Sequence, residues 1–100
     1  MGKCFEFRDA FPPIQDVINE LYQRNGEAEH DAIVRELIIH KHGALVVEAA
    51  IARCPEHTKE GMASNMVQWL SQQYTRKRLS NFEAQFKRRK INQSWAYSRV

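Results

Sequence analysis

Apolar residues recur along most of this chain at the spacing of one face of an α-helix. The clearest run follows Pro12-Pro13 at positions i, i+3, i+4, i+7 and i+8, namely Ile14, Val17, Ile18, Leu21 and Tyr22. Proline is tolerated in the first turn of a helix, and glycine suits the left-handed position just past the last turn. The pattern therefore predicts a first helix that begins at Pro12 and stops at Asn25-Gly26.

Two shorter helices are predicted next. Apolar spacing and an acidic start predict a second helix over residues 30–41, after an acidic linker at residues 27–29. Residues 44–52 are apolar on nearly every side, which favours a buried third helix that Pro55 ends. The sequence Leu45-Val46-Val47 leaves a strand as the alternative for this third segment.

A fourth helix is predicted over residues 59–74, with Thr58 as its N-cap. One of its faces is apolar: Met62, Met66, Val67, Trp69, Leu70 and Tyr74. The opposite face is polar but almost uncharged: Lys59, Ser64, Asn65, Gln68, Ser71 and Gln72. A helix that only meets water usually carries more charge on its outer face. We therefore regard this face as a candidate for binding, with a solvated or dimerising polar face as the alternative.

The last quarter of the chain, residues 76–100, combines cations with aromatic residues. Eight cations stand against one acid, Glu83: Arg76, Lys77, Arg78, Lys87, Arg88, Arg89, Lys90 and Arg99. Large aromatic side chains are threaded among them: Phe82, Phe86, Trp95 and Tyr97. A small domain needs most such side chains for its core. We expect a short helix or strand at 80–88, a turn, and a strand at 91–98.

Charge is distributed unevenly between the two halves of the chain. Residues 1–50 hold five Lys/Arg and nine Asp/Glu, a net charge of −4, whereas residues 51–100 hold ten and three, a net charge of +7. Clustered cations favour a polyanionic partner, most simply nucleic acid. The alternative is that the two halves neutralise each other within the molecule.

The length of 100 residues suits one domain, and 43% hydrophobic residues suffice for a core. We divide the chain into an N-terminal arm or edge strand (1–11), a helical core (12–74) and a basic element anchored by aromatics (75–100). The edge strand is suggested by the alternation of Cys4, Phe5 and Phe7; the alternative is an arm that lays aromatics on the core. Two cysteines do not make a disulfide framework, so a reducing, cytoplasmic location is predicted. No apolar run approaches the length of a membrane span.

Sequence motifs for catalysis and for metal binding are absent. There is no glycine-rich phosphate loop, nucleophile elbow or HExxH motif, so we expect neither an enzyme nor a small-molecule substrate. The candidate zinc ligands are His40, His42, Cys54 and His57, but no CxxC or HxxxH pair supports them. We therefore expect no metal and no cofactor, and assign these side chains to helix ends and a buried thiol.

Compact helices followed by a basic hairpin resemble, in the order and spacing of elements across residues 12–98, a winged helix-turn-helix domain. The fold class expected is mainly α with a small C-terminal β component. In such domains a recognition helix enters the major groove and the wing lies along the phosphate backbone. The resemblance implies a helix-turn-helix made of the third helix, a turn at 55–58 and the fourth helix. The second and third helices are the alternative pair, although residues 44–52 are too apolar to read bases.

These patterns predict a DNA-binding module, either a small transcriptional regulator or a recognition domain, whose partner is double-stranded DNA. The fourth helix is expected to contact bases through Lys59, Ser64, Asn65, Gln68 and Gln72. The basic element is expected to contact phosphates through Arg76, Lys77, Arg78, Lys87, Arg88, Arg89 and Lys90. A homodimer on paired half-sites is a further expectation, through the apolar first helix or the N-terminal arm.

The alternative function is a helical protein–protein adaptor, homodimeric or with another partner, that does not bind nucleic acid. Three surface cations separate the two hypotheses. Ion pairs from Arg88, Arg89 and Lys90 to acids of the first two helices would favour the adaptor. Exposure of these cations on the side of Asn65 and Gln68 would favour DNA.

Overall fold

The computed structural model of the protein describes residues 6–100. A 3₁₀ turn at Phe7–Ala10 leads directly into α1, Phe11–Asn25. The remaining elements follow in the order β1 (Ala28–Glu29), α2 (His30–Ile39), α3 (Gly43–Arg53), α4 (Lys59–Thr75), α5 (Ser80–Gln85), β2 (Phe86–Ile91) and β3 (Ser94–Arg99). The fold is therefore mainly α with a small three-stranded antiparallel sheet, as the sequence predicts, and it is compatible with a winged-helix arrangement.

The sheet has the strand order β1–β3–β2, so the last strand of the chain lies in its centre. β2 and β3 form a hairpin in which Arg88 lies opposite Tyr97 and Lys90 opposite Trp95. The two turn residues, Asn92-Gln93, have φ angles of 47° and 70°. This left-handed backbone has the twist that a tight hairpin needs. The short β1 pairs with the other edge of β3 and brings the start of α2 close to the hairpin.

The core lies between the helices and one face of the sheet. α2 packs against α1, α3 and α4, and α1 also packs against β3. Each of these helices and strands supplies at least one of the largest fully buried side chains, which include Tyr97, Phe86, Ile14, Ile18, Ile33, Leu37, Val47, Met62, Met66 and Leu70. Burial of one large apolar side chain contributes about 1.5–3 kcal/mol. Phe86 and Tyr97 therefore anchor the hairpin to the helices.

The helix ends that the sequence predicts from capping residues are confirmed. Gly26 has a φ of 78°, and its backbone N–H donates to the carbonyl oxygen of Tyr22 at 2.7 Å. Thr58 Oγ1 accepts a hydrogen bond from the backbone N–H of Gly61 at 3.0 Å, which satisfies a donor in the first turn of α4. All six residues predicted for the apolar face of this helix are buried or half-buried.

The junction of α2 and α3 is tighter than the sequence predicts. A β-carbon on Gly43 would lie 2.5 Å from the carbonyl oxygen of Leu37, so only glycine fits without a shift. His40 Nδ1 accepts hydrogen bonds from the backbone N–H groups of His42 and Gly43, both at 3.2 Å. These contacts end α2 at Ile39, two residues before its predicted end, and start α3 at the glycine.

Two predictions for the N-terminal half of the chain are corrected. Phe7 lies in a 3₁₀ turn and not in an edge strand. Its ring packs against Trp69 with centroids 5.5 Å apart, as an arm would; Cys4 and Phe5 lie outside the described residues. The acidic linker at 27–29 contains β1, because two of its residues find backbone partners on β3.

α3 is helical as predicted but is not buried on every side. Val47 and Ala50 are buried, whereas Leu45 is 65% exposed and Ala49 and Ala52 also face solvent. Part of the apolar sequence that predicted a buried helix therefore lies on the outer, solvent-exposed surface of α3.

The helix and the strands of the basic element have different boundaries from those predicted. Its helix ends at Gln85, and the chain becomes extended at Phe86, so all four cations at 87–90 lie on β2. The strand expected at 91–98 is interrupted by the hairpin turn, and β3 begins at Ser94. Phe82 and Phe86 belong to different elements, yet their rings stack with centroids 4.6 Å apart.

Cys54 is buried at the C-terminus of α3 and is disulfide-bonded. This contradicts the expectation of a small buried thiol, and the predicted reducing location loses that basis. Among residues 6–100, no helix is both long and apolar enough to cross a membrane.

Candidate nucleic-acid interface

A polar strip runs along the outer side of α4. Gln68 and Gln72 are exposed, and Ser64 and Asn65 are half-buried; we call these four residues the α4 strip. The sequence has no acid from Gly61 to Phe82, so no carboxylate interrupts the strip along its own helix. Amide and hydroxyl groups of this kind can pair with the edges of bases.

The hairpin presents two different faces because side chains alternate along a strand. The face toward α4 holds Phe86, Arg88 and Lys90 from β2, and Trp95 and Tyr97 from β3. The rings of Tyr97 and Tyr74 meet edge to face across this contact, with centroids 6.3 Å apart. Lys87 and Arg89 lie on the opposite, outer face. The run of four cations is thus divided between the two faces.

Arg88 is held by neutral groups of α4. Its Nη1 donates to the carbonyl oxygen and the Oγ of Ser71, both at 2.8 Å, and its Nη2 donates to Thr75 Oγ1 at 2.8 Å. The guanidinium also lies over the rings of Trp95 and Tyr74, at 3.7 and 4.4 Å from their centroids. Arg88 therefore joins the hairpin to α4.

Arg89 forms the single ion pair that the basic element makes within residues 6–100. Its Nε and Nη2 donate to the two carboxylate oxygens of Glu27 at 2.6 and 2.9 Å. The hydrogen bond from Arg89 lowers the pKa of Glu27. In the same part of the chain, this is also the sole ion pair that joins the acidic half to the basic half.

The other predicted phosphate contacts are exposed and have no ion pair within the described part of the chain. Arg76, Lys77 and Arg78 lie at the C-terminal end of α4, and Lys87 lies on the outer face of β2. Lys90 lies beside Trp95, with Nζ 5.1 Å from a ring centroid. Lys59, predicted to contact bases, is exposed in the first turn of α4. Cations therefore border the α4 strip at both ends and along the hairpin.

A shallow hollow of about 220 Å³ lies between α4 and the hairpin. It is lined by His30, Gln68, Ser71, Gln72, Thr75 and Trp95. His30 Nε2 lies 3.3 Å from Ser64 Oγ, and Gln68 Nε2 donates to the same oxygen at 3.3 Å. Sequence reasoning missed His30, because no local pattern shows that the first turn of α2 meets the middle of α4.

Burial lowers the pKa of His30, and the neighbouring Asp31 carboxylate offsets part of this effect. The ordinary value is 6.5, so the imidazole is predominantly neutral at pH 7. It therefore acts at the hollow as a hydrogen-bonding group and not as a cation.

The three cations that separate the DNA and adaptor hypotheses have three different environments. Arg89 pairs with Glu27, which lies in the linker between α1 and α2 and not on either helix, so the adaptor criterion is not met as stated. Lys90 is exposed on the face of the hairpin that borders the hollow, which is the DNA criterion. Arg88 meets neither criterion because it is bound to α4.

Replacing Glu27 with glutamine is expected to lower stability at pH 7 and to have a smaller effect near pH 3. The folded-state pKa of Glu27 lies below its ordinary value of 4.5, so its ion pair stabilises the protein above about pH 4.5 and is lost as pH falls through the lowered value. Urea denaturation of both proteins at the two pH values measures the difference. Glu48→Gln is the matched control, since this exposed acid has no ion pair within residues 6–100, and an equal pH effect there would contradict the assignment.

The histidines considered as metal ligands make other contacts. His40 Nε2 lies 2.8 Å from a carboxylate oxygen of Glu20, and His57 Nε2 lies 3.6 Å from one of Glu56. Within residues 6–100, no group of three or more His, Cys, Asp or Glu side chains is placed to hold a metal ion.

No protein-family model, curated protein or solved structure matches this chain. Function must therefore be inferred from the chemistry of these residues.

Proposed function

We propose that the protein is a DNA-binding module in which the α4 strip contacts base edges and the surrounding cations contact phosphates. The observation that carries the proposal is the acid-free segment from Gly61 to Phe82, in which the strip leads into three exposed cations without ion pairs in the described chain. Such a surface attracts a polyanion, and amide side chains recognise base edges. In this proposal α4 is the recognition helix of a winged helix-turn-helix and the β2–β3 hairpin is its wing.

The position of the hairpin supports the same assignment. Arg88 fixes it beside α4, so Trp95, which Lys90 contacts, lines one hollow together with Gln68 and Gln72 of the α4 strip. Lys90 then contacts phosphate beside the groove that α4 enters. Arg88 positions the wing, and Arg89 contacts phosphate only after it leaves Glu27.

The choice of α3 and α4 as the helix-turn-helix follows from the surface of α3. On its exposed surface Leu45, Ala49 and Ala52 offer no hydrogen-bonding side-chain groups, and the exposed polar side chains are those of Glu48, an anion, and Arg53 in the last turn. The α4 strip offers four hydrogen-bonding side chains. α4 therefore suits base recognition, and α3 suits the supporting position.

Titration of the full chain into a mixed-sequence DNA duplex tests the proposal. Four exposed cations without ion pairs in the described chain lie at the end of α4 or beside Trp95 at the hollow, namely Arg76, Lys77, Arg78 and Lys90. If each contacts one phosphate, affinity should fall about 150-fold between 50 mM and 200 mM salt. We expect micromolar or tighter binding at the lower salt. No binding at 50 mM salt would overturn the proposal.

A second candidate is protein–protein interaction through the apolar surface at the junction of α2 and α3. Ile39 is 74% exposed and Leu45 is 65% exposed, and Ala49 and Ala52 continue the apolar surface along α3. Exposed apolar patches mark interaction sites when they are contiguous. Sedimentation velocity over a range of protein concentrations measures whether two copies of the chain associate, as this candidate expects.

A cytoplasmic location is not part of the proposal, because the disulfide bond at Cys54 is typical of an oxidising compartment and removes the basis of that prediction. Cell fractionation of the natural host tests it directly.

A further inference from the structure

We infer that Gln68 reads an adenine and that Ser64 and His30 are positioning residues that hold its carboxamide in the orientation this reading needs. The inference rests on the proposed DNA-binding function and adds the base that is read and the residues that determine specificity.

The three side chains form a line of contacts from α2 to the outer side of α4. Gln68 Nε2 donates to Ser64 Oγ at 3.3 Å, and His30 Nε2 lies 3.3 Å from the same oxygen. His30 and Ser64 are half-buried, whereas Gln68 is exposed. His30 is the first residue of α2, which packs against α4. The position of the imidazole is therefore set by two packed helices.

The inward hydrogen bond determines what Gln68 presents to a partner. A carboxamide has two N–H donors and one carbonyl acceptor. One donor is used on Ser64, and Oε1 has no hydrogen bond to any residue of the described chain. One N–H and one carbonyl oxygen therefore remain side by side for a ligand. Adenine offers the complement in the major groove, with an N6 amino donor next to the N7 acceptor.

The same arrangement disfavours the other purine. Guanine presents two acceptors, O6 and N7, at the corresponding positions. The carbonyl oxygen of Gln68 would then face an acceptor and leave both groups without a partner, which costs free energy at a desolvated interface. A carboxamide held in one orientation thus selects adenine over guanine.

His30 is needed because a serine hydroxyl by itself does not fix the amide. The Ser64 hydroxyl can donate one hydrogen bond and can also accept hydrogen bonds. It could therefore pair with either the carbonyl end or the N–H end of the Gln68 carboxamide. We infer the neutral His30 tautomer that carries its proton on Nδ1, in which the unprotonated Nε2 accepts the Ser64 proton. Ser64 Oγ can then only accept from Gln68, and the N–H end of the carboxamide must face inward. Burial of His30 keeps the imidazole neutral at pH 7.

Selection from a randomised duplex library, followed by affinity measurements on single-base variants, tests the inference. The wild-type chain is expected to prefer adenine at one position by about 5- to 100-fold, and Gln68→Ala should abolish that preference. Ser64→Ala and His30→Ala should reduce it toward equality with guanine. Ser64→Thr keeps the hydroxyl and should restore it, which a purely structural role for Ser64 would not predict. Alanine is favourable in a helix, so Ser64→Ala should fold.

His42→Ala is the matched control, because this exposed histidine lies at the start of α3, away from the strip. Its base preference should equal that of the wild type. Salt-dependent binding with an unchanged adenine preference in Ser64→Ala and His30→Ala overturns the inference and leaves the proposed function standing. An unchanged preference in Gln68→Ala does the same. Absence of salt-dependent binding by the wild type overturns both.

Discussion

Replacing Arg88 with alanine is expected to destabilise the protein by about 3 kcal/mol. Arg88 makes three hydrogen bonds of 2.8 Å to Ser71 and Thr75 and lies over two aromatic rings. Hydrogen bonds from a charged donor contribute about 1.5–3 kcal/mol each. Contributions within one network of contacts do not add fully, so the expected total is smaller than their sum. Stacking on Trp95 and Tyr74 adds a cation–π term. The hairpin should therefore separate from α4 at lower denaturant concentrations.

The surroundings of Tyr97 increase the expected loss. Tyr97 lies opposite Arg88 in the hairpin and is fully buried. Burial raises the pKa of its hydroxyl, and the neighbouring Ser71 and Arg88 partly offset that rise. The hydroxyl oxygen has no hydrogen bond of regular geometry within residues 6–100. Removing the Arg88 guanidinium would take away a polar neighbour that partly offsets the cost of burying the Tyr97 hydroxyl, which adds to the loss of stability.

Urea denaturation followed by tryptophan fluorescence measures the change, because Trp95 contacts the substituted side chain. Lys87→Ala is the matched control, since Lys87 lies on the outer face of the same strand, and its effect should stay within about 0.5 kcal/mol. Arg88→Lys keeps the charge but loses the planar fork, so it should recover only a minor part. An Arg88→Ala protein no less stable than Lys87→Ala would show that Arg88 does not hold the hairpin.

Helices were predictable wherever their ends and faces depend on residues close in sequence. α1 is bounded by proline and Gly26, and α4 begins at Thr58, whose hydroxyl caps its own first turn. The apolar face of α4 could also be read from spacing alone. These features need no knowledge of the rest of the fold, because the interacting groups lie within one or two turns.

Elements that depend on distant partners could not be predicted in the same way. β1 has two residues and exists because β3, almost seventy residues later in the chain, offers backbone groups to pair with. α3 was predicted to be buried because its composition is apolar, but composition does not state which side meets another element. The exposed Leu45 is the result.

The candidate interface likewise combines features that the sequence predicts with features that depend on the fold. The polar face of α4 was predicted from the sequence, and the α4 strip lies on its outer side. The run of cations at 87–90 looked like one charged surface, but strand alternation sends Arg88 toward α4 and Arg89 toward Glu27. His30 joins the site only because the sheet places the start of α2 beside the hairpin. Charge density can be read along a chain, whereas the partner of each charge depends on the fold.

Converting Arg76, Lys77 and Arg78 together to glutamine is expected to weaken binding to a mixed-sequence duplex about 100-fold at 0.15 M salt. All three are exposed and have no ion pair within the described chain, so the change should leave the fold intact. Binding releases fewer counterions when a phosphate contact is lost. Each lost contact therefore lowers the slope of log K against log[salt] by about 0.9 in magnitude, or by about 2.7 for the three. Fluorescence anisotropy titrations at four or more salt concentrations measure both affinity and slope.

A second triple variant, Arg35→Gln, Lys41→Gln and Arg53→Gln, separates local contacts from net charge. These cations are also exposed and without ion pairs in the described chain, but they lie on α2, the α2–α3 turn and the end of α3. Both triple variants remove three positive charges. If net charge alone attracts DNA, the two should weaken binding equally. If α2 and α3 form the helix-turn-helix, the second variant should bind more weakly than the first. A larger loss of affinity and slope in the Arg76–Arg78 variant is expected because those cations border the α4 strip, where the phosphates flanking a groove-bound α4 would lie.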